Sequence, residues 1–280
     1  MTYSIYHFFK SLVEKRQVFS NIEKLEDFPF DDSMLACKNA GQFPDLAIRL
    51  NTDNSLFSGG ELIELKDSRS YAVSSFNSTI PTGKKDIEKV IKTVNSSIKK
   101  QMEDAGNNIL SLQYRDVYYL IRGKQKNSTK IVLVHGSFFE TVKSNELISQ
   151  SFEKVLDETV LKYNVQLDND TKSILIDMFS EQESFSKVRN IYKASVKLRF
   201  RIMTEVKAEG NILNKKQYPE IEDDTISLIV PLHDEAEKEI NMQRFHAVFD
   251  KKALKPFKIF ALKHHLNGYF LVFQTRLLKK

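Results

Sequence analysis

The sequence predicts an α/β fold in which a mixed β-sheet is flanked by helices. Three observations lead to this prediction: short strands with period-two alternation, amphipathic helical stretches between them, and the lack of any internal repeat or low-complexity tract. The chain has 280 residues, of which 41% are hydrophobic and 28% charged. This length and composition suit one large globular domain or two domains of ordinary size.

The first 160 residues alternate between helical and strand patterns. Apolar residues between Ile5 and Phe19 recur at helical spacing, and a loop around Pro29 follows. A turn signal at Pro81-Thr82-Gly83 precedes the next helical pattern. The predicted elements, in order, are a helix at 5–19, strands at 43–50 and 59–67, a helix at 84–102, strands at 117–122 and 130–135, and a helix at 143–156.

The second half of the chain has weaker patterns. Residues 173–185 are compatible with a helix. Residues 196–202 alternate between apolar and basic side chains, which favours a strand, although a helix from Val188 is also compatible. Further strands are predicted at 225–230, 257–262 and 269–273. We therefore predict a core of residues 1–160 and a C-terminal α+β subdomain of residues 161–280, in one compact body because no Pro/Gly-rich linker separates them.

Charge is distributed unevenly along the chain. The sequence contains 42 Lys and Arg against 37 Asp and Glu, a net charge of +5. Residues 251–280 hold eight basic residues and no acidic one, and residues 187–201 hold six basic residues and no acidic one. Residues 220–239, in contrast, hold eight acidic residues and one Lys. Such segregation is compatible with a basic face that neutralises phosphates, although charge runs are also common on solvated surfaces.

Several classes of protein are disfavoured by composition. Cys37 is the only cysteine, which excludes an intrachain disulfide and a thiolate zinc cluster and suits a reducing compartment. The N-terminus has no signal-peptide pattern, and no apolar run approaches the length of a membrane span. We therefore expect a cytoplasmic protein without membrane attachment.

The two strands at 43–50 and 59–67 carry the most informative pattern. If they pair as a hairpin, residues whose numbers sum to about 109 lie opposite each other, so that Asp45 faces Glu64. Lys66 lies two residues after Glu64 and therefore shares its face, whereas Glu61 lies on the opposite face and is expected at the surface. Two carboxylates and an ammonium group on one face are suited to hydrolysis of a phosphodiester with a divalent cation.

These residues resemble the signature of the PD-(D/E)XK nuclease superfamily. Pro44-Asp45, followed by Glu64-Leu65-Lys66, matches its motif over about two dozen residues, on adjacent strands and in the right order. Within the superfamily, the chain looks most like a type II restriction endonuclease. The resemblance implies a restriction-endonuclease-like core, double-stranded DNA as substrate, a short palindromic site and a homodimer whose two-fold axis matches that site.

The resemblance also assigns roles to the matching residues. Asp45 and Glu64 would bind a Mg²⁺ ion, for which Mn²⁺ may substitute, and the backbone carbonyl of Leu65 is a third candidate ligand. Lys66 would act either as an electrostatic partner of the attacking water or as a base, and the sequence does not choose between these roles. Glu14 on the first helix is a candidate for an additional carboxylate, as in some members of the family.

Candidate DNA-binding residues follow the motif and recur in the second half of the chain. Hydroxyl, amide and basic side chains suit phosphate and base-edge hydrogen bonds, with a polar surface loop as the alternative. The candidates are Arg69, Ser74, Ser75 and Asn77 after the second strand, Lys84 and Lys85 at the start of the next helix, and Lys197, Arg199 and Arg201 on the basic strand.

Other catalytic motifs are not satisfied. The segment around Thr82-Gly83-Lys84 lacks the first glycine and the final hydroxyl of a phosphate-binding loop, and His135-Gly136-Ser137 lacks a nucleophile elbow. The resemblance to the nuclease motif therefore implies a magnesium-dependent, sequence-specific DNA endonuclease that uses metal-activated water, with the C-terminal subdomain serving DNA binding or dimerisation. The alternatives are a repair or recombination nuclease of the same fold, and a nucleic-acid-binding protein without catalysis.

Overall fold

The fold is taken from a computed structural model of the chain. It describes residues 2–30, 34–36, 43–48, 57–73, 82–87, 100–101, 104, 113–140, 144–181, 188–189, 195–196 and 211–278. The strands are β1 (Thr2–Tyr3), β2 (Met34–Ala36), β3 (Leu46–Ile48), β4 (Phe57–Ser58), β5 (Leu62–Ser68), β6 (Lys84–Asp86), β7 (Tyr114–Gln125), β8 (Ser128–His135), β9 (Val188–Arg189), β10 (Ser195–Val196), β11 (Thr225–Leu232), β12 (Lys258–His264) and β13 (Gly268–Arg276). The helices are α1 (Ser4–Glu14), α2 (Val18–Asn21), α3 (Ser144–Tyr163), α4 (Asn169–Glu181), α5 (Glu235–Val248) and α6 (Lys251–Leu254), with 3₁₀ turns at Leu25–Asp27 and Gly136–Phe139.

The predicted α/β class with a mixed sheet is confirmed. Eight strands form an open sheet in the order β12-β13-β11-β8-β7-β5-β3-β2, and β6 pairs with β7 beside this path. Strands β2, β3 and β5 pair in antiparallel fashion, β5 pairs with β7 in parallel, and β7 and β8 form an antiparallel hairpin. The parallel pairing of β8 with β11 joins strands that are far apart in sequence.

The sheet buries side chains on both faces, because residues alternate between the faces along each strand. On the first face, Val132 and Val134 of β8 belong to a core with Tyr71, Phe138 and Leu213. On the second face, Ile131 and Leu133 belong to a core with apolar residues of α1 and α5, among them Phe9, Leu12, Phe245 and Val248. The helices α1 and α5 therefore cover the second face of the sheet.

The chain divides into two compact units whose boundaries differ from the predicted one at residue 160. The larger unit comprises residues 1–139 and 205–280, and the smaller unit comprises residues 140–204. The larger unit is discontinuous because β11, β12 and β13 complete the sheet begun by the N-terminal strands. The smaller unit contains the helices α3 and α4 and the short strand pair β9–β10.

Three local predictions differ from the structure. The predicted first helix is divided, since α1 ends at Glu14 and α2 begins at Val18. The segment Lys84–Asp86, predicted as the start of a helix, is a strand because it pairs with Tyr114–Asp116 of β7. The helix α5 was not predicted, because its apolar residues do not form a stripe that stands out from its many charged ones.

A buried arginine connects the N-terminal segment to the sheet. Arg122 on β7 is fully buried and forms an ion pair with Asp67 at the end of β5. Its guanidinium also donates to the carbonyl oxygens of Phe19, Ile22 and Glu23 at 2.9–3.2 Å. Because the buried guanidinium is satisfied by these carbonyls and by Asp67, this contact anchors the chain after α2 against β5.

In the described part of the chain, no helix combines the length and the apolar character that a bilayer-spanning segment requires.

Candidate functional site

The predicted hairpin register is confirmed. Leu46 lies opposite Ile63 and Ala47 lies opposite Leu62 in the antiparallel pair of β3 and β5. The N–H of Ile48 donates to the carbonyl of Glu61 at 2.9 Å, which continues the same register. Asp45 directly precedes β3, so this register places it opposite Glu64.

Asp45, Glu64 and Lys66 are brought together as predicted. Glu64 alternates with Ile63 and therefore projects to the first face of the sheet, as does Lys66. The Lys66 Nζ lies 2.8 Å from the Glu64 Oε1. Glu64 is only 4% exposed, whereas Asp45 is half-buried. The Glu64 carboxylate is thus shielded from solvent while its neighbours remain accessible.

The backbone between the two carboxylates is arranged by Pro44. The register places Pro44 opposite Leu65, and a proline has no N–H with which to donate a ladder hydrogen bond to the Leu65 carbonyl. The Leu65 N–H donates to the Asp45 Oδ2 at 2.7 Å. This hydrogen bond orients the Asp45 carboxylate toward β5, and the Leu65 carbonyl receives no ladder hydrogen bond from residue 44. Leu65 therefore remains a reasonable third oxygen ligand.

Burial and the neighbouring charge of Glu64 raise the pKa of Asp45. Desolvation is the largest cause that raises the pKa of Asp45 to about 6, and the charge of Glu64 raises it further. The hydrogen bond from the Leu65 N–H and the charge of Lys66 lower this pKa and only partly offset the rise. A pair of carboxylates held close together in this way favours a bound cation, which would relieve their repulsion.

This perturbation predicts a pH-dependent effect on stability. The pKa of Asp45 is about 6 in the folded state, above its ordinary value of 3.8. Between these two values the folded state binds more protons than the unfolded state, so the protein loses stability as the pH rises. We expect Asp45→Asn to stabilise the protein little at pH 4 and by about 1–3 kcal/mol above pH 6, after allowance for partial exposure. Denaturant unfolding across this range, without divalent cations, measures the difference.

The control for this measurement is Glu239→Gln, which removes an exposed carboxylate of α5. We expect no comparable pH-dependent gain in that variant. A gain for Asp45→Asn that is the same at pH 4 and pH 7 would contradict the raised pKa. Saturating magnesium should stabilise the wild-type protein and not Asp45→Asn, because only the former presents both carboxylates.

A third carboxylate near Asp45 was not found from the sequence. Glu26, in the 3₁₀ turn Leu25–Asp27, contributes a small rise to the pKa of Asp45. The turn is held against β5 because the Leu25 N–H donates to the Asp67 Oδ2 at 3.0 Å. Glu14, the predicted additional carboxylate, is mainly exposed and lies 3.9 Å from Lys10. Sequence periodicity offered no signal for Glu26, since its position depends on the contact with Asp67.

The prediction that Glu61 lies at the surface is wrong. Glu61 does lie on the opposite face from Glu64, but it is only 5% exposed. Desolvation raises the pKa of Glu61 to about 8, while hydrogen bonds from backbone N–H groups, including that of Ile5 in α1, oppose the rise. The first turn of α1 covers this carboxyl group, and no local pattern in the strand indicates that cover.

The predicted DNA-binding residues are only partly described. Arg69 is exposed directly after β5. Lys84 is exposed and lies 3.9 Å from Asp116, while the Nζ of Lys85 lies 4.3 Å from the centre of the Phe43 ring. Lys85 is thereby brought close to the segment that leads into Asp45. The remaining candidates, Ser74, Ser75, Asn77, Lys197, Arg199 and Arg201, lie outside the described residues.

The metal-binding capacity of the site rests on two carboxylates and a carbonyl. Among the described residues, no group of three or more His, Cys, Asp and Glu side chains is arranged to hold a metal ion. Magnesium fits a sparser set, because it usually retains several waters and needs only one or two carboxylates together with a phosphate oxygen. Asp45, Glu64 and the Leu65 carbonyl supply such a set.

Comparisons with known proteins found no match for this chain. No family model matches the chain, and neither a curated protein nor a solved structure matches it. Inferences about its function therefore rest on the site geometry, on the sheet topology and on the resemblance of residues 44–66 to the nuclease motif.

Proposed function

We propose that this protein is a magnesium-dependent endonuclease that cleaves double-stranded DNA at specific sites, as a type II restriction enzyme does. One observation carries the proposal. Asp45 and Glu64 oppose each other in register across β3 and β5, and Lys66 contacts Glu64 on the same face. The raised pKa of Asp45 agrees with two carboxylates placed close enough to favour a cation between them.

The strand arrangement around the site supports the same proposal. The resemblance implies that the motif lies on adjacent strands and that a helical segment then leads to a further core strand. Here β2, β3 and β5 are antiparallel, and β5 pairs in parallel with β7. Along the chain between β5 and β7, the described residues Ile87, Lys100 and Gln101 are helical. This order agrees with the restriction-endonuclease-like core that the motif implies.

Each residue would have a distinct role in hydrolysis. Magnesium, when bound, would polarise the scissile phosphate and increase the acidity of the attacking water. Asp45 and Glu64 would hold the ion, with the Leu65 N–H keeping the Asp45 carboxylate in place. Lys66, 2.8 Å from Glu64, would as the ammonium ion stabilise the charge that develops on the phosphate, or as the neutral amine accept the proton of the attacking water. Two-fold symmetric cleavage of a palindrome would further require a homodimer.

Digestion of a plasmid of known sequence tests the proposal. We expect discrete fragments in magnesium and none in a chelator, and mapping of the fragment ends should identify a short recognition site. Degradation without sequence preference would favour the repair or recombination nuclease. Tight DNA binding without any cleavage in magnesium or manganese would instead favour a binding protein in which Asp45, Glu64 and Lys66 have no catalytic role.

A further inference from the structure

A cluster of cations lies on the same face of the sheet as the candidate site. Lys130 of β8 is fully buried, and its Nζ lies 5.0 Å from the centre of the Tyr71 ring. The Nζ of Lys215 lies 5.4 Å from the centre of the same ring. Lys215 forms an ion pair with Asp223, and the Nζ of Lys130 lies 3.9 Å from this carboxylate. Two ammonium groups therefore share Asp223 beside one aromatic ring.

The sheet register places this cluster close to Lys66. Ser68 of β5 lies opposite Gly123 of β7, which in turn lies opposite Lys130 of β8. A Cβ atom at Gly123 would lie 3.0 Å from the Tyr71 ring, so the ring rests directly on this glycine. Gly123 is one strand across from Ser68, and Lys66 is two residues before Ser68. These steps are about 4.8 Å and about 6.6 Å, which separates the backbones of Gly123 and Lys66 by about 8 Å along the sheet.

Tyr71 is fixed in this position by the chain around it. The Asn211 Nδ2 donates to the Tyr71 carbonyl at 2.6 Å, and the Nζ of Lys130 donates to the Leu213 carbonyl at 3.4 Å. Lys130 is therefore buried and engaged by the backbone. The side chain of Lys215, in contrast, is 53% exposed and remains accessible to a ligand.

We propose that Lys215, seated on Tyr71, binds a backbone phosphate of the DNA strand a few nucleotides from the scissile phosphate. This inference rests on the proposed function, since it names a phosphate contact for the same substrate. The Nζ of Lys215 lies a further 5.4 Å from the centre of the ring that covers Gly123. Since phosphates recur about every 3.4 Å of helix axis along one strand, Lys215 faces a phosphate a few nucleotides away from the one at Lys66. In the free protein Lys215 is paired with Asp223. When DNA binds, a phosphate replaces the Asp223 carboxylate as the partner of Lys215.

The test compares two lysines that are each exposed and paired with a carboxylate. Lys238 on α5 lies 2.9 Å from Glu235 and is on the helix that covers the second face of the sheet. We expect Lys215→Gln to weaken binding of a short random-sequence duplex by about fivefold to tenfold at 0.1 M salt and to reduce the salt slope by about one. Lys238→Gln, which makes the same change in net charge, should bind as the wild-type protein does.

A second variant tests the exchange of partners. Asp223→Asn removes the competing carboxylate and should increase the affinity for the same duplex, whereas a purely structural role of the Lys215–Asp223 pair predicts no gain. Affinities are measured by fluorescence anisotropy without divalent cations, so that cleavage does not intervene, and thermal unfolding verifies that each variant is folded. Equal affinities of Lys215→Gln and Lys238→Gln would overturn this inference alone. If the wild-type protein binds no duplex DNA, both this inference and the proposed substrate are wrong.

Discussion

Asp45→Ala and Glu64→Ala proteins are expected to fold and to lose magnesium-dependent cleavage of DNA. Each substitution removes one of the two negatively charged ligands of the site, so the magnesium ion is held more weakly and is no longer fixed in position for hydrolysis. The folded state should survive because the two charges repel each other in the free protein, as the raised pKa of Asp45 indicates. Calorimetric titration with magnesium or manganese measures the loss of binding directly.

The matched control is Glu239→Ala, which removes an exposed carboxylate from α5. It should leave cation affinity and cleavage unchanged. Glu64→Gln is a second variant of nearly the same size as the wild-type residue, and it guards against a packing defect at this buried position. Near-normal cleavage by both the Asp45 and the Glu64 variants in magnesium would contradict the assignment of the site.

Lys66→Ala should separate catalysis from cation binding. The substitution removes the ammonium group that contacts Glu64 but leaves both carboxylates in place. We expect the variant to bind divalent cations and DNA, and to cleave at least about a hundredfold more slowly, a loss typical of a positioned charge or proton-transfer group. Single-turnover cleavage, measured beside a calorimetric cation titration, distinguishes the two effects.

Two further substitutions determine what Lys66 does. Lys66→Arg keeps the positive charge but cannot readily accept a proton, since a guanidinium stays protonated. Recovery of most of the rate in Lys66→Arg would indicate electrostatic stabilisation, whereas a rate as low as that of Lys66→Ala would indicate proton transfer. Lys66→Glu should be slower still, because a third carboxylate could hold the ion in an unproductive position. A Lys66→Ala enzyme with the wild-type rate would mean that the motif is a coincidence of spacing.

The salt dependence of DNA binding reports how many basic side chains contact phosphates, including those outside the candidate site. The sequence contains two basic runs, residues 187–201 and 251–280, of which only Lys197, Arg199 and Arg201 are candidate DNA contacts. Lys215 belongs to neither run, and its importance follows only from its contacts with Tyr71 and Asp223. A phosphate contact of this kind changes affinity for all sequences about equally, so it should not alter which site is cleaved.

The sequence alone determined the local geometry of the candidate site. The period-two alternation of strands fixes which side chains share a face, and the spacing of residues 43–67 fixed a register that places Asp45 opposite Glu64. The strands at the C-terminus were predicted to within a few residues for the same reason, since each is a short apolar run bounded by polar residues.

The tertiary structure alone decided the features that depend on distant partners. The segment Lys84–Asp86 is a strand because β7 pairs with it, and Glu61 is buried because α1 covers it. Glu26 approaches Asp45 because Asp67 and Arg122 hold the segment after α2. A single-sequence pattern reports how a short window alternates between apolar and polar residues. It does not report which remote strand, helix or charge will come to lie against that window, and these contacts set the burial and electrostatics of the site.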